Sequence, residues 1–158
     1  MAQKKSVYFG KSVDDKHDQD LNWCVASSDN ADFENDIIDI ATLSLERHTP
    51  EHPIPVLSSH LKKLPDGSFP ILGEVVEWVK GKDGDKDVLY AGWKWTNDNP
   101  TLVDKVKPLF PRLVNNFSIS FIPDLNEIYR ENPQLGEDSP QRFKNVKVTE
   151  LSLTMVGC

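Results

Sequence analysis

Few residues in this chain are of a type and in a setting that suit covalent chemistry. The stretch "NNFSISFIP", Asn115 to Pro123, carries Ser118 and Ser120 between Phe117, Ile119 and Phe121. Side chains alternate faces along a strand, so the two hydroxyls share one face and the apolar set takes the other. A serine hydroxyl is a weak nucleophile; it needs a base within hydrogen-bond reach and usually a third group to orient that base. His60 closes the apolar run "HPIPVLSSH", just before a turn, where an imidazole projects from a rigid element. Glu150, in "KVTELSLTMV", shares a polar face with Ser152 and Thr154, while Leu151, Leu153 and Met155 take the other face. Each has a plainer reading on its own: hydroxyls meeting water, a surface histidine at a strand end, a solvated carboxylate.

Other constellations compete. His48 and His52 stand four residues apart and His60 eight further on, a set that suits a metal-dependent hydrolase if a helix aligns the first two. Pro50 and Pro53 oppose that helix. His17 sits in a polar stretch and reads as solvated. Cys24, in "NWCVAS", reads as a small buried core residue rather than a nucleophile. Trp78, Trp93 and Trp95 read as barrel packing, with a binding module built on them as the weaker alternative.

The bulk numbers bound the classes. A chain of 158 residues is long enough to bury a core as one domain without disulfide or metal staples. A net charge of −7 and a pI near 5.0 oppose binding to a phosphate backbone, so nucleic acid is not expected as a partner. Cys24 and Cys158 show neither metal-type pairing nor the density of a secreted scaffold. Nothing at the N-terminus resembles a signal peptide, and no run reaches the roughly 18 apolar residues of a membrane helix, so a reducing cytoplasm is expected.

The elements follow from periodicity and punctuation. Residues 1–20 read as a flexible arm, with "VYFG" as a short edge strand, and residues 21–158 as a single domain. "LNWCVASS" is a strand; "DNADFENDIID" is an acidic loop leading into a short helix, "IATLSLERH", capped by Asp39. "ILGEVVEWVKG" and "DVLYAGWKWT" form an antiparallel hairpin turned at Asp83 and Gly84. Asn99 caps a helix with Pro100 in its first position, and Pro108 and Pro111 end it. Glu131 to Gln141 is a flexible loop. The fold class is α+β: a β-rich, mostly antiparallel barrel or sandwich of about six or seven strands with a few short helices.

In order along the chain, "DNADFENDIIDIATL", "PVLSSH", "PILGEV", "VNNFSISFIP" and "TELSLT" resemble the motifs of the prohead (capsid maturation) serine proteases of tailed bacteriophages, a family related in fold to the herpesvirus assemblins. The resemblance covers roughly Leu21 to Val156, in short, degenerate motifs. It implies His60 as general base, Ser118 as nucleophile by motif position, and Glu150 as the group that orients the imidazole. The family's glycine after "SI" is Ser120 here, and strand geometry alone does not separate the two serines. The oxyanion hole is placed only by proximity in sequence, around Arg112 to Asn116. The resemblance further implies no cofactor and no membrane. Its substrates would be phage scaffold and major capsid proteins, cut inside assembling proheads in the host cytoplasm. Self-association and autoproteolysis would accompany this, and the end at "TMVGC" reads as a shortened form or a processing site near Gly157. The rival within the same fold is a catalytically inert head-assembly protein.

Overall fold

The computed structural model describes residues 20–32, 35–60 and 62–154. The "VYFG" strand, His17 and the rest of the arm up to residue 19, together with Met155, Gly157 and Cys158, lie outside the described residues. The described chain runs β1 (Asn22–Ser28), β2 (Asp36–Ile38), β3 (Pro55–Ser58), β4 (Ile71–Asp83), β5 (Lys86–Trp95), α1 (Pro100–Val106), β6 (Asn116–Ile122), β7 (Ile128–Arg130), β8 (Gln141–Phe143) and β9 (Lys147–Thr154). Short 3₁₀ turns follow α1 at Lys107–Leu109 and separate β7 from β8 at Pro133–Asp138.

Six strands form one curled sheet in the order β1-β5-β4-β3-β9-β6, and β2-β8-β7 form a small second sheet. Pairing is antiparallel except for β2 with β8 and β3 with β9. The curl brings the edge strands β1 and β6 back toward each other without joining them. A cavity of about 160 Å³ lies between them. The result is a half-barrel, consistent with the α+β, β-rich expectation.

The hairpin β4–β5 forms as its sequence dictates. Asp83 pairs with Lys86 across a two-residue turn, and Gly84 there has φ of 63°, the left-handed conformation such turns require and glycine supplies. Inside the curl, Val56, Leu72, Leu89, Trp93, Val148 and Leu151 are fully buried; each such side chain stabilises the fold by about 1.5–3 kcal/mol. Trp93 centres an aromatic cluster, with ring centroids 4.8 Å from Trp95, 5.4 Å from Phe110 and 5.8 Å from Phe117. Cys24 is buried in the same core, as expected. Helix α1 starts where the sequence places it: the Asn99 side chain accepts from the Leu102 N–H at 3.2 Å, with Pro100 in the first position.

Three local expectations are corrected. Residues 40–48 form turns rather than a helix; Ser44 bridges to Lys147, its N–H donating to the Val146 carbonyl and its carbonyl accepting from the Val148 N–H. Tertiary pairing with β9 has displaced the weak helical preference of a segment holding Ile40 and Thr42. Asp39 caps no helix. Its carboxylate accepts from Thr42 Oγ1 and Arg142 Nη1, both at 2.7 Å. The acidic loop and the 131–141 loop contain or abut the short strands β2, β7 and β8, so the described strands number more than six or seven.

Arg142 braces the small sheet, reaching Glu131 through Nε at 2.5 Å as well as Asp39, and lies 3.9 Å from Asp29 at the end of β1 in the large sheet. Burial is the largest influence on the Asp39 carboxyl and raises its pKa, but the Thr42 hydroxyl and Arg142 together hold it below the usual carboxylate value. Replacing Arg142 with methionine strands a largely buried carboxylate. Stability at neutral pH should then fall by about 2 kcal/mol, less than for a fully dry pair because both side chains retain some exposure. A depressed folded pKa contributes stability above the unfolded value, about 3.9, that is lost as pH falls through the folded value. Urea midpoints of the two proteins should therefore converge below about pH 4.

Candidate active site

The inner face of β6 is committed to the core. Phe117 joins the Trp93 cluster, Ile119 is buried, and Phe121 packs 6.0 Å from Phe143. Alternation therefore turns Ser118 and Ser120 to the outer face. The register with β9 sets Ser118 opposite Ser152 and Ser120 opposite Glu150. Residues directly opposite in an antiparallel pair lie on the same face, so these four polar side chains form a two-by-two block on the outside of the half-barrel.

His60 is delivered to this block by a turn. Strand β3 runs parallel to β9 and ends at Ser58. Ser59 then adopts φ of 57°, uncommon for a residue with a Cβ, and its N–H donates to the Leu153 carbonyl at 3.0 Å. The bend brings the next side chain over β9. His60 is itself exposed. Its Nδ1 lies 3.1 Å from Ser120 Oγ and 3.1 Å from Ser152 Oγ. Partners 60 and 92 positions away in the chain thus meet at one ring nitrogen.

The structure brings His60 to Ser120 and Ser152 by direct hydrogen bonds. Ser118 and Glu150 stand in the same block without bonding the imidazole. Ser118 is 9% exposed and lines the cavity between β1 and β6; Ser152 is fully buried and Ser120 half-buried. Ser152 was not singled out in the sequence, although alternation placed it on the Glu150 face. The signal was the spacing of two residues, and what was lacking was the register that sets it beneath His60. Residues 112–116 lead directly into β6, whose Asn116 pairs with Thr154.

The imidazole geometry has a chemical consequence. Ser120 and Ser152 hold the ring through Nδ1, where a hydroxyl can either donate or accept; in the tautomer with the proton on Nδ1, the Nε2 lone pair is left as a base. Glu150 places a carboxylate beside Ser120 on the same face.

The rival histidines are engaged differently. His48 Nδ1 accepts from the Ile54 N–H at 3.1 Å, its ring packs edge-on to Trp78 at 6.5 Å, and burial lowers its pKa. His52 is exposed at a turn held by Thr49. Among the described residues no group of three or more metal-ligating side chains converges. The tryptophans pack on the core: Trp93 is fully buried, and Trp78 and Trp95 are partly so. No described helix is long and apolar enough to cross a membrane. Comparisons with protein-family models, curated proteins and solved structures gave no match.

Proposed function

We propose that the chain is a serine endopeptidase in which His60 activates a hydroxyl on β6. The observation that carries this reading is the imidazole held at Nδ1 by Ser120 and Ser152, over the same sheet face that Ser118 shares. His60 Nε2 takes the proton as Ser118 Oγ bonds to the scissile carbonyl carbon. It returns the proton to the leaving amine, and a water molecule then cleaves the acyl-enzyme by the same route in reverse. Ser120 and Ser152 orient the ring, and Glu150 supports the imidazolium. The motif order described above assigns the same roles to His60, Ser118 and Glu150. On that resemblance the substrates are scaffold and capsid-protein segments in an assembling phage head and the protease's own termini, with no cofactor required.

Ser120 as nucleophile, acting through Nδ1, is the second reading, favoured by its direct 3.1 Å contact. Co-expression of the full chain with a candidate scaffold protein, read by mass spectrometry of fragments and termini, separates the readings. Ser118→Ala should abolish sequence-specific cleavage. Ser120→Ala should slow it by about 10- to 100-fold, as expected for loss of an orienting hydrogen bond. Cleavage that survives Ser118→Ala and vanishes with Ser120→Ala moves the nucleophile to Ser120. No cleavage by the unaltered chain across candidate scaffolds supports the inert head-assembly reading.

A further inference from the structure

The end of the half-barrel where β5 leads into α1 carries an excess of cations, against the net charge of −7 of the whole chain. Lys62, Lys63, Lys105, Lys107 and Arg112 are all exposed, and none makes an ion pair with a described residue. The carboxylates of the same two segments, 62–70 and 98–112, are Asp66, Asp98 and Asp104. Two of these are engaged locally. Asp66 accepts from the Ser68 N–H at 2.9 Å and from the Ser68 hydroxyl at 2.6 Å, and Asp98 accepts from the Thr96 hydroxyl.

Contacts join the two segments into one surface. Asn99, the cap of α1, donates through Nδ2 to the Phe69 carbonyl at 2.9 Å and to Ser68 Oγ at 3.2 Å. Lys63 Nζ lies 5.8 Å from the centre of the Phe69 ring, and Lys107 Nζ 6.0 Å from that of Trp95. The Asp66 carboxyl is held below its usual pKa chiefly by the bonds from Ser68 and in small part by the Lys105 charge, so Lys105 stands near this loop. Register then directs the start of the domain to the same surface. Asn22 pairs with Trp93 in an antiparallel ladder, so the chain upstream of β1 heads past Lys94 toward Trp95, the ring under Lys107.

We infer that this surface is the docking site of the chain's own acidic segment, residues 13–20, "VDDKHDQD". The inference is independent of the hydrolase reading. Residues 13–19 lie outside the described part, and the sequence supplies the complementarity: Asp14, Asp15, Asp18 and Asp20 stand against Lys16 alone. Residues 1–11 instead hold Lys4, Lys5 and Lys11 and no carboxylate. Charge therefore changes sign along these residues, and the acidic part is the one that adjoins β1. Length fits as well. The six steps from Asp20 back to Asp14 span up to about 20 Å when extended, whereas α1, with seven residues, is about 10 Å long. The segment reaches from Trp95 across α1 to Lys62 and Lys63. Exposed ion pairs are individually weak, but attachment to β1 keeps these carboxylates at an effective concentration of about millimolar beside the cations, where several pairs act together. A second copy or a separate acidic protein would have to gain this proximity by binding; the chain's own segment has it by connectivity.

Carbodiimide coupling of the full chain tests this, because it joins a carboxylate to a lysine amine as an amide only where the two groups touch. Mass spectrometry of the digested product maps the links. At about 0.01 M salt, where the Debye length is about 30 Å, Asp14, Asp15 or Asp18 should link to Lys105, Lys107, Lys62 or Lys63; at about 1 M, where it is about 3 Å, these links should fall about tenfold. Lys105→Glu combined with Lys107→Glu, both at exposed positions, should reduce the links to Lys62 and Lys63 by about tenfold while the far-ultraviolet spectrum stays that of the unaltered chain. An equal mixture of isotopically light and heavy chains identifies the occupant. Links within one isotopic species are expected; links between species put the segment of a second copy on this surface and overturn the inference. Links spread equally onto Lys80 and Lys86 of the β4–β5 hairpin, no link from the three aspartates, or links indifferent to salt and to the double substitution overturn it too.

Discussion

His60→Ala is expected to lower peptide cleavage by at least about 10³-fold, because loss of a general base removes proton transfer in both acylation and deacylation. Folding should be nearly unaffected. The imidazole is exposed, and surface substitutions of this kind usually change stability by within about 0.5 kcal/mol. Ser152 is the residue to watch, since its buried hydroxyl loses its partner; removing the ring also opens that hydroxyl to water, which limits the cost. The contrast of a large rate loss with an unchanged urea midpoint distinguishes a catalytic imidazole from a structural one. An equal loss from a mutation that leaves Nδ1 and Nε2 in place would point elsewhere.

Gly73→Ala is expected to act on the fold instead. A Cβ at this position would lie 2.0 Å from the Lys94 carbonyl oxygen, 3.0 Å from the Lys94 carbonyl carbon and 3.2 Å from Trp95 Cα. All three are backbone atoms of β5, so no side-chain rotation relieves the clash. Gly73 pairs with Trp95 on one side and with Val56 on the other. Moving β4 away from β5 therefore pushes on β3, the strand that delivers His60. The cost should reach about 3 kcal/mol or more, with the thermal midpoint lower by roughly 6–12 °C for a chain of this size. Activity should fall with stability. A midpoint within a degree or two of the unaltered protein would show that the strands separate more easily here than their pairing indicates.

What the sequence revealed, and what it did not, follows from the range of the forces involved. The β4–β5 hairpin, the cap at Asn99 and the alternation of β6 rest on contacts between residues near in the chain, and each lies where periodicity and turn chemistry place it. His60 at the end of β3 was legible for the same reason. The short strands β2, β7 and β8 were not, because three residues give too little periodicity and their sheet is assembled by pairing between distant segments. The segment from Ile40 to His48 carried an apparent cap in Asp39, yet that carboxylate is taken by Arg142, 103 positions away. At the candidate site the same distinction holds. Residue types pointed to Ser118, Ser120, His60 and Glu150, but the parallel pairing of β3 with β9 puts the imidazole over Ser152, and no local pattern encodes that register.

The most direct measurement is covalent labelling of the purified full chain with a fluorophosphonate, which forms a serine Oγ–phosphorus bond and expels fluoride only where a base removes the hydroxyl proton. A single adduct on Ser118, formed at a rate that drops by orders of magnitude in His60→Ala, is the expected result. Failure to label any serine of β6, or labelling there that proceeds equally fast without the imidazole, would contradict activation of this strand by His60.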